Sequence, residues 1–419
     1  MPDPAAARKP SRKTPQADAL LAAASRIVAT DGLAGLTLRP LAAQLGVSVT
    51  VLSTHYGARA DVIAAICHAA AARDALLFEH WRGALARLGS MPPAIAANVA
   101  ETIVDELATG QRAVSALYLE LMQACTWDAA LRPAFADWAA ARRAFWDDVG
   151  SRAGVAPALL ACGWWHGYVV AELACSVALD ADPAYRMLRR LCLQRLFNGG
   201  AAPAGDGAEG TLFTMLGERM RMADTATGSA ASAPAWSALA ARACGIRLAA
   251  QGVDALTHRA IAADIGIPHT TLSYRFPAQR DLVDAGIACI VRHIGAAVNA
   301  DRLDEVQRLR TEGDGQKLDL ARASFAVALA AMRRPELTAC AAQMRSRRGD
   351  NVGKVLARYL PGVSGIDPLC AQVVSMGLAG LTNTVPPGAE AEALVATAFT
   401  VAVTWLGATQ DMPTGRTGR

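Results

Sequence analysis

Residues 46–62 read GVSVTVLSTHYGARADV and residues 266–282 read GIPHTTLSYRFPAQRDL; the two stretches lie 220 residues apart and align without a gap. Carried back to Gly32 and Gly252, the alignment holds 12 identities in 31 positions, among them Leu36/Leu256, Thr37/Thr257, Arg39/Arg259, Ala42/Ala262, Gly46/Gly266 and Leu52/Leu272. A period of this size marks a duplicated domain-sized unit, because solenoids repeat every ~20–50 residues.

The first copy predicts three short helices. Asp18 to Thr30 sets Leu20, Leu21, Ala24, Ile27 and Val28 on one face, and Asp31-Gly32 stops it. Thr37 is placed to cap the next helix, LRPLAAQL. Its first turn tolerates Pro40, because N–H groups there have no intrahelical partner. Gly46 suits a left-handed residue closing that helix, and Ser48 can cap VTVLSTHY. Ala42 is small where two helices would cross, and Leu41, Leu45, Val47 and Leu52 fill the wedge between them. Two short helices joined by a tight glycine turn, the second left exposed, make a helix-turn-helix. The second copy repeats it with Ile261, Ala262, Ile265, Gly266, Ile267 and Leu272.

Around these heads the chain of 419 residues is 53% hydrophobic, dominated by Ala and Leu, and only 5% aromatic. That predicts an all-α protein of several domains. Composition divides it into a basic tail (1–16), a first head (17–62), a first helical body (63–197), a Gly/Ala/Ser/Pro-rich linker (198–234), a second head (235–282), a second body (283–408) and a polar tail (409–419). The linker contains one candidate helix, TLFTMLGERMRM. Nine scattered cysteines, an odd number, read as reduced thiols in a cytoplasmic protein. The N-terminal basic residues precede no apolar run, so no signal peptide is expected. The nearest approach to a membrane span, ACGWWHGYVVAELACSVAL, is interrupted by His166 and Glu172, so no membrane partner is expected.

A helix followed by G-x-x-x-L-T-x-R-x-[LI]-A-A-x-[LI]-G-[VI]-x-x-x-x-L, then an aromatic residue and a helix opening at R-x-D or Q-R-D, resembles the TetR family of transcriptional regulators. The pattern covers residues 18–62 and 236–282, and the bodies match weakly. The resemblance implies that each half is like a whole family subunit: a three-helix DNA-binding head on a helical ligand-binding and dimerisation body. One chain would then be an intramolecular pseudo-dimer, with a further dimer of chains left open. Reading two successive major-groove faces takes recognition helices roughly 34–36 Å apart. A flexible linker of the length 198–234 reaches roughly 30–37 Å and would keep the halves at roughly millimolar effective concentration. The implied partners are double-stranded DNA and a small-molecule effector of unknown identity, with no cofactor. The effector would tilt connecting helices over about 60–76 and 280–298 and so change the spacing of the heads.

In the first recognition helix the candidates for DNA contact are Val49, Thr50, Ser53, Thr54 and His55, and in the second His269, Thr270, Ser273, Tyr274 and Arg275. Hydroxyls and a Thr methyl can touch base edges, while His, Tyr and Arg suit phosphates or bases. The resemblance adds Thr37 and Thr257 at phosphates, Arg39 and Arg259 toward guanine, and Arg59 where the family commonly has lysine. Ser48 and Tyr56, at the two ends of the first recognition helix, complete the set. Gln279 departs from that lysine, and Ser53 and Ser273 replace a common tyrosine, with Tyr274 one residue later. Unlike recognition helices predict an asymmetric operator of two unlike half-sites. Residues 1–60 carry +4 and 236–281 carry +2, leaving −2 on the rest of a chain whose net charge is +4. Positive charge on the heads suits counterion-release binding. Arg8, Lys9, Arg12 and Lys13 read either as a minor-groove arm or as a solubilising tail.

Trp127, Trp164, Trp165, His166 and Glu172 read either as an aromatic effector pocket or as packing between the halves. Helices around 161–197 and 369–406 are expected to pair into a four-helix core. Cys289 and His293 share a helix face, but two ligands do not make a metal site. RRPELTACAAQMRSRRGD reads as a solvated face. No P-loop, dinucleotide fingerprint, nucleophile elbow or metal motif is present, so no enzyme is expected. The rival to a regulator is a ligand-binding or scaffold protein whose heads have lost DNA.

Overall fold

Every regular element among the described residues is a helix, the outcome that Ala- and Leu-rich text broken by Gly and Pro favours. The computed structural model describes residues 16–200, 202, 207–221, 235–299, 318–361 and 366–408. The first part of the chain forms α1 (Ala17–Gly35), α2 (Leu38–Leu45), α3 (Val49–Tyr56), α4 (Arg59–Leu88), α5 (Pro93–Ala108), α6 (Arg112–Trp127), α7 (Arg132–Arg152), α8 (Pro157–Ala161), α9 (Trp164–Leu179) and α10 (Pro183–Phe197). α11 (Gly207–Arg221) follows. The second part forms α12 (Ala235–Gln251), α13 (His258–Asp264), α14 (His269–Arg275), α15 (Gln279–Asn299), α16 (Leu320–Ala331), α17 (Thr338–Ser346), α18 (Asp350–Tyr359), α19 (Pro368–Thr384) and α20 (Ala389–Ala408). Proline opens α5, α8, α10 and α19, where its missing N–H costs nothing.

α9 is buried on every side, as a helix this rich in apolar residues must be. It packs along α19, and α5, α6, α7, α16 and α17 also lie against it. The crossing with α19 is backbone to backbone. A methyl group on Gly380 would fall on the Gly167 carbonyl, and one on Gly377 would fall inside the Trp164 indole. The indole N–H of Trp164 donates to the carbonyl of Val374 at 3.3 Å. Beside the crossing, Arg345 of α17 meets Glu172 of α9 at 3.1 Å, both fully buried. Gln372 of α19 donates to the carbonyls of Arg345 and Ser346. Arg195 of α10 holds Asp367, the N-cap of α19, at 2.8 Å and also binds Glu209 of α11.

Several expectations change here. The segment RRPELTACAAQMRSRRGD is not a solvated face: Arg345 and Ser346 are buried, and Arg333 reaches Glu120 of α6. Two of its arginines, Arg333 and Arg345, make ion pairs with distant parts of the chain, which charge counting could not reveal. The stretch read as a flexible linker contains α11, docked on α10, α17 and α19. The first connecting helix runs on to Leu88, because nothing between Arg59 and Gly89 breaks it except the tolerated Gly83. Among the described residues α20, not α9, is the helix long and apolar enough to cross a membrane by length and composition, and 22% of its most apolar window is buried. It packs on α19, buries Ala391, Ala398, Ala402 and Leu406, and brings the Trp405 ring to 5.9 Å from that of Trp164 on α9. The tail through residue 15, with Arg8, Lys9, Arg12 and Lys13, residues 222–234 and the tail from 409 lie outside the described residues.

The crossing makes a prediction. Gly380→Ala should lower stability by about 2–3 kcal/mol, because backbone cannot yield as a flexible side chain can. Gly83→Ala, with open space at the same atom, should raise it by about 0.5–1 kcal/mol. Urea denaturation of both variants measures the contrast, and an unchanged midpoint for Gly380→Ala refutes the tight crossing.

Candidate nucleic-acid interface

The two heads share their backbone position by position. Gly32 adopts φ +69°, ψ −177° and Gly252 φ +78°, ψ −177°, a region open in practice only to glycine. Leu36 and Leu256 follow at φ −77°, ψ 77° and φ −79°, ψ 83°. Thr37 and Thr257 each donate their N–H to the carbonyl two residues back. Gly46 and Gly266, at φ +66° and +68°, turn the chain into α3 and α14. Asp61 accepts from the N–H of Ala58 at 2.8 Å, and Asp281 from that of Ala278 at 2.7 Å, so both following helices open with the same cap. Leu41, Ala42 and Leu52 are buried in one wedge, and Ile261, Ala262 and Leu272 in the other.

The copies are reinforced differently. The Ser48 hydroxyl caps α3 by accepting from Val51 at 3.2 Å, whereas Pro268 begins α14 with no side-chain cap. Thr257 caps α13 through its hydroxyl; Thr37 sits at the N-cap of α2 without a side-chain cap bond. Arg59 donates to the carbonyl of Leu36 at 3.2 Å. Its counterpart Gln279 is replaced in that duty by His258, whose Nε2 lies 2.6 Å from the Phe276 carbonyl. Arg247 grips Asp264 through two bonds of 2.8 Å, tying α12 to α13; the first copy has Ile27 and Gln44 there.

The structure leaves most of the expected contact residues facing solvent. Thr37, Arg39, Val49, Thr50, Thr54, His55 and Arg59 are exposed on the first head, and Thr257, Arg259, His269, Thr270, Tyr274, Arg275 and Gln279 on the second. Tyr274 is 91% exposed, an unusual position for a large ring with nothing to cover it. Ser48, Ser53, Tyr56 and Ser273 are half-buried. Tyr56 sits edge-on to His55 and packs into the head, as Phe276 does in the other copy.

No family model matches the chain, and a search of curated proteins finds no match. Fold and site geometry alone therefore carry the reading.

The aromatic candidates separate. Trp164, Trp165, His166 and Glu172 are buried in close packing around α9. Trp165 donates to the Trp146 carbonyl at 2.6 Å, and Glu172 also accepts from Tyr185 at 2.7 Å. Trp127, 47% exposed, lies elsewhere, on a cavity between the two heads. Glu120, Gln123 and Arg333 line it too. The sequence held a signal for them, since Glu120, Gln123 and Trp127 recur at helical spacing in apolar text. Cys289 and His293 are accounted for locally: Nδ1 lies 2.7 Å from the Cys289 carbonyl, and Arg242 lies near Nε2.

His166 makes the second prediction. Burial, then Arg143 and Arg142 of α7, drives its pKa down from 6.5 to about 3. The unfolded chain therefore binds the proton that the folded chain refuses, so stability falls as pH drops from about 6.5 toward 3. The loss attributable to His166 should be on the order of 3–5 kcal/mol by pH 3. His166→Gln should flatten the pH dependence of the urea midpoint over that window, and an unaltered slope counts against a buried neutral imidazole.

Proposed function

We propose that the chain is a DNA-binding transcriptional regulator, a repressor relieved by a small-molecule effector, built as a single-chain pseudo-dimer of two TetR-like units. The observation that carries this is the matched geometry of the two heads, each presenting an exposed helix with different side chains in the same frame. Val49, Thr50, Ser53, Thr54 and His55 meet one half-site; His269, Thr270, Ser273, Tyr274 and Arg275 meet another. Arg39 and Arg259 reach guanine, for which a forked guanidinium suits O6 and N7. The operator is asymmetric because the protein is. Its affinity depends on the spacing of the heads, which α4 and α15 connect to the bodies. α4 is pinned to α7 where Asp74 accepts from Trp138 and Arg142, both at 2.6 Å, so a change in the first body is transmitted to its head. An effector acts by preferring one spacing over another.

Selection from random duplexes tests this, with mobility shifts across salt. A single asymmetric consensus is expected, with affinity falling as salt rises by a slope of about 0.9 per phosphate contacted. Arg39→Ala and Arg259→Ala should each cost about 1–3 kcal/mol in specific binding. Combining Val49→His, Val51→Thr, Thr54→Tyr and His55→Arg makes the first recognition helix match the second, and should shift the preferred site toward a palindrome. If no sequence is enriched even at low salt, the heads are structural relics and the regulatory reading fails.

A further inference from the structure

The cavity between the heads is walled by equivalent positions of the two halves. Leu131 and Leu337 end the short 3-10 turns that follow α6 and α16. Counting back from them pairs Glu120 with Ala326, Gln123 with Leu329 and Trp127 with Arg333, and all six line the cavity. Above them, Leu33 beside Gly32 faces Val253 beside Gly252. The cavity thus lies where the two heads and the two inner helices converge, and ends of α1 and α12 both reach it.

Its lining is unequal. The first half contributes a carboxylate, an amide and an indole, and the second contributes two apolar side chains and a guanidinium. Glu120 and Arg333 pair with each other across the junction. Arg59 and Asp128 add one charge of each sign, so the lining is neutral in sum. Gln123 is 7% exposed, and its Nε2 finds no hydrogen-bond partner in the protein. A buried amide N–H left without a partner costs roughly 1–3 kcal/mol; the Gln123 side chain lines a cavity of about 260 Å³, and its Nε2 is shielded from that space in the present rotamer. A cavity of roughly 150 Å³ holds benzene, so the space suits a two-ring molecule.

We infer that this cavity is a binding site for an uncharged, planar two-ring aromatic compound carrying a carbonyl oxygen. The rings lie between Leu329 and the Trp127 side, and a small turn of the Gln123 amide lets its N–H donate to the carbonyl. A charged ligand is disfavoured, because Glu120 and Arg333 already satisfy each other. Since the walls come from both heads, the bound molecule braces one head spacing. That coupling rests on the regulatory reading above; the binding itself does not.

Coumarin is the probe, with naphthalene as the same shape lacking the acceptor and coumarin-3-carboxylate as the charged form. Titration of the full chain, without DNA, should show saturable coumarin binding that is stronger than that of either control. Gln123→Leu should weaken coumarin at least fivefold and leave naphthalene unchanged. Ala34→Trp, on the exposed rim of the cavity, should abolish binding of both while circular dichroism and the urea midpoint stay as in the parent. No saturable binding up to millimolar coumarin, equal loss of coumarin and naphthalene in Gln123→Leu, or full binding in Ala34→Trp would each overturn the site. With the selected duplex present, coumarin affinity should change at least threefold, and duplex affinity by the same factor. An unchanged affinity overturns the coupling alone, and failure to select any duplex overturns the regulatory reading while the binding result stands.

Discussion

The crossing of α9 and α19 at Gly167, Gly377 and Gly380 is the constraint on which the rest of the structure depends. Helices that touch through backbone have no side chains to slide over, so their register is fixed by shape. The buried Glu172–Arg345 pair beside the crossing adds chemical selectivity more than net stability. Desolvating two charges consumes much of what their attraction returns, yet removing one partner alone would cost roughly 3–5 kcal/mol. Only one rotation of the helices brings Glu172 to Arg345 and Trp164 to the Val374 carbonyl together. From that fixed point α10 and α19 set the clasp of Arg195 on Asp367, and α6 and α16 set the pairing of Glu120 with Arg333.

Equivalent places in the two similar parts of the chain need not carry the same side chain. In an exact two-fold dimer a Glu–Arg pair across the junction would occur twice; here it occurs once, between Glu120 and Arg333, because Trp127 stands at the place equivalent to Arg333 and Ala326 at the place equivalent to Glu120. The heads show the same freedom. Arg59 and His258 do related work from different positions, and Arg247–Asp264 braces only the second copy. Each unit keeps the glycines that the backbone needs and varies the side chains around them.

What could be read in the sequence follows from this division. The heads were legible because their constraints are local: Gly32, Gly46, Gly252 and Gly266 sit where the chain must turn, and the wedge residues keep helical spacing. The all-helical class was legible from composition. The contacts between distant segments were not. Arg345 reads like Arg347 until Glu172, 173 residues away, is brought beside it. The burial of Trp164 and Trp165 is one of two alternatives that the sequence allows, since an apolar aromatic run looks the same lining a pocket or filling a core. α11 was half visible, as a helix whose docking partner, Arg195, could not be known. Gln123 passed unnoticed because one amide in an apolar helix gains meaning only when a cavity is found beside it.

The distribution of packing also says where the molecule can move. At Gly167, Gly377 and Gly380 an added methyl group would overlap backbone or the Trp164 ring, and motion there would require backbone to separate. At the heads, α1 packs directly on α6 and α12 on α16, and a cavity remains where their ends meet, crossed by the Glu120–Arg333 pair. Side chains therefore have more room to rearrange at the cavity than at the glycine crossing. A molecule entering the close-packed region around α9 would first have to displace side chains, whereas one entering the cavity would not.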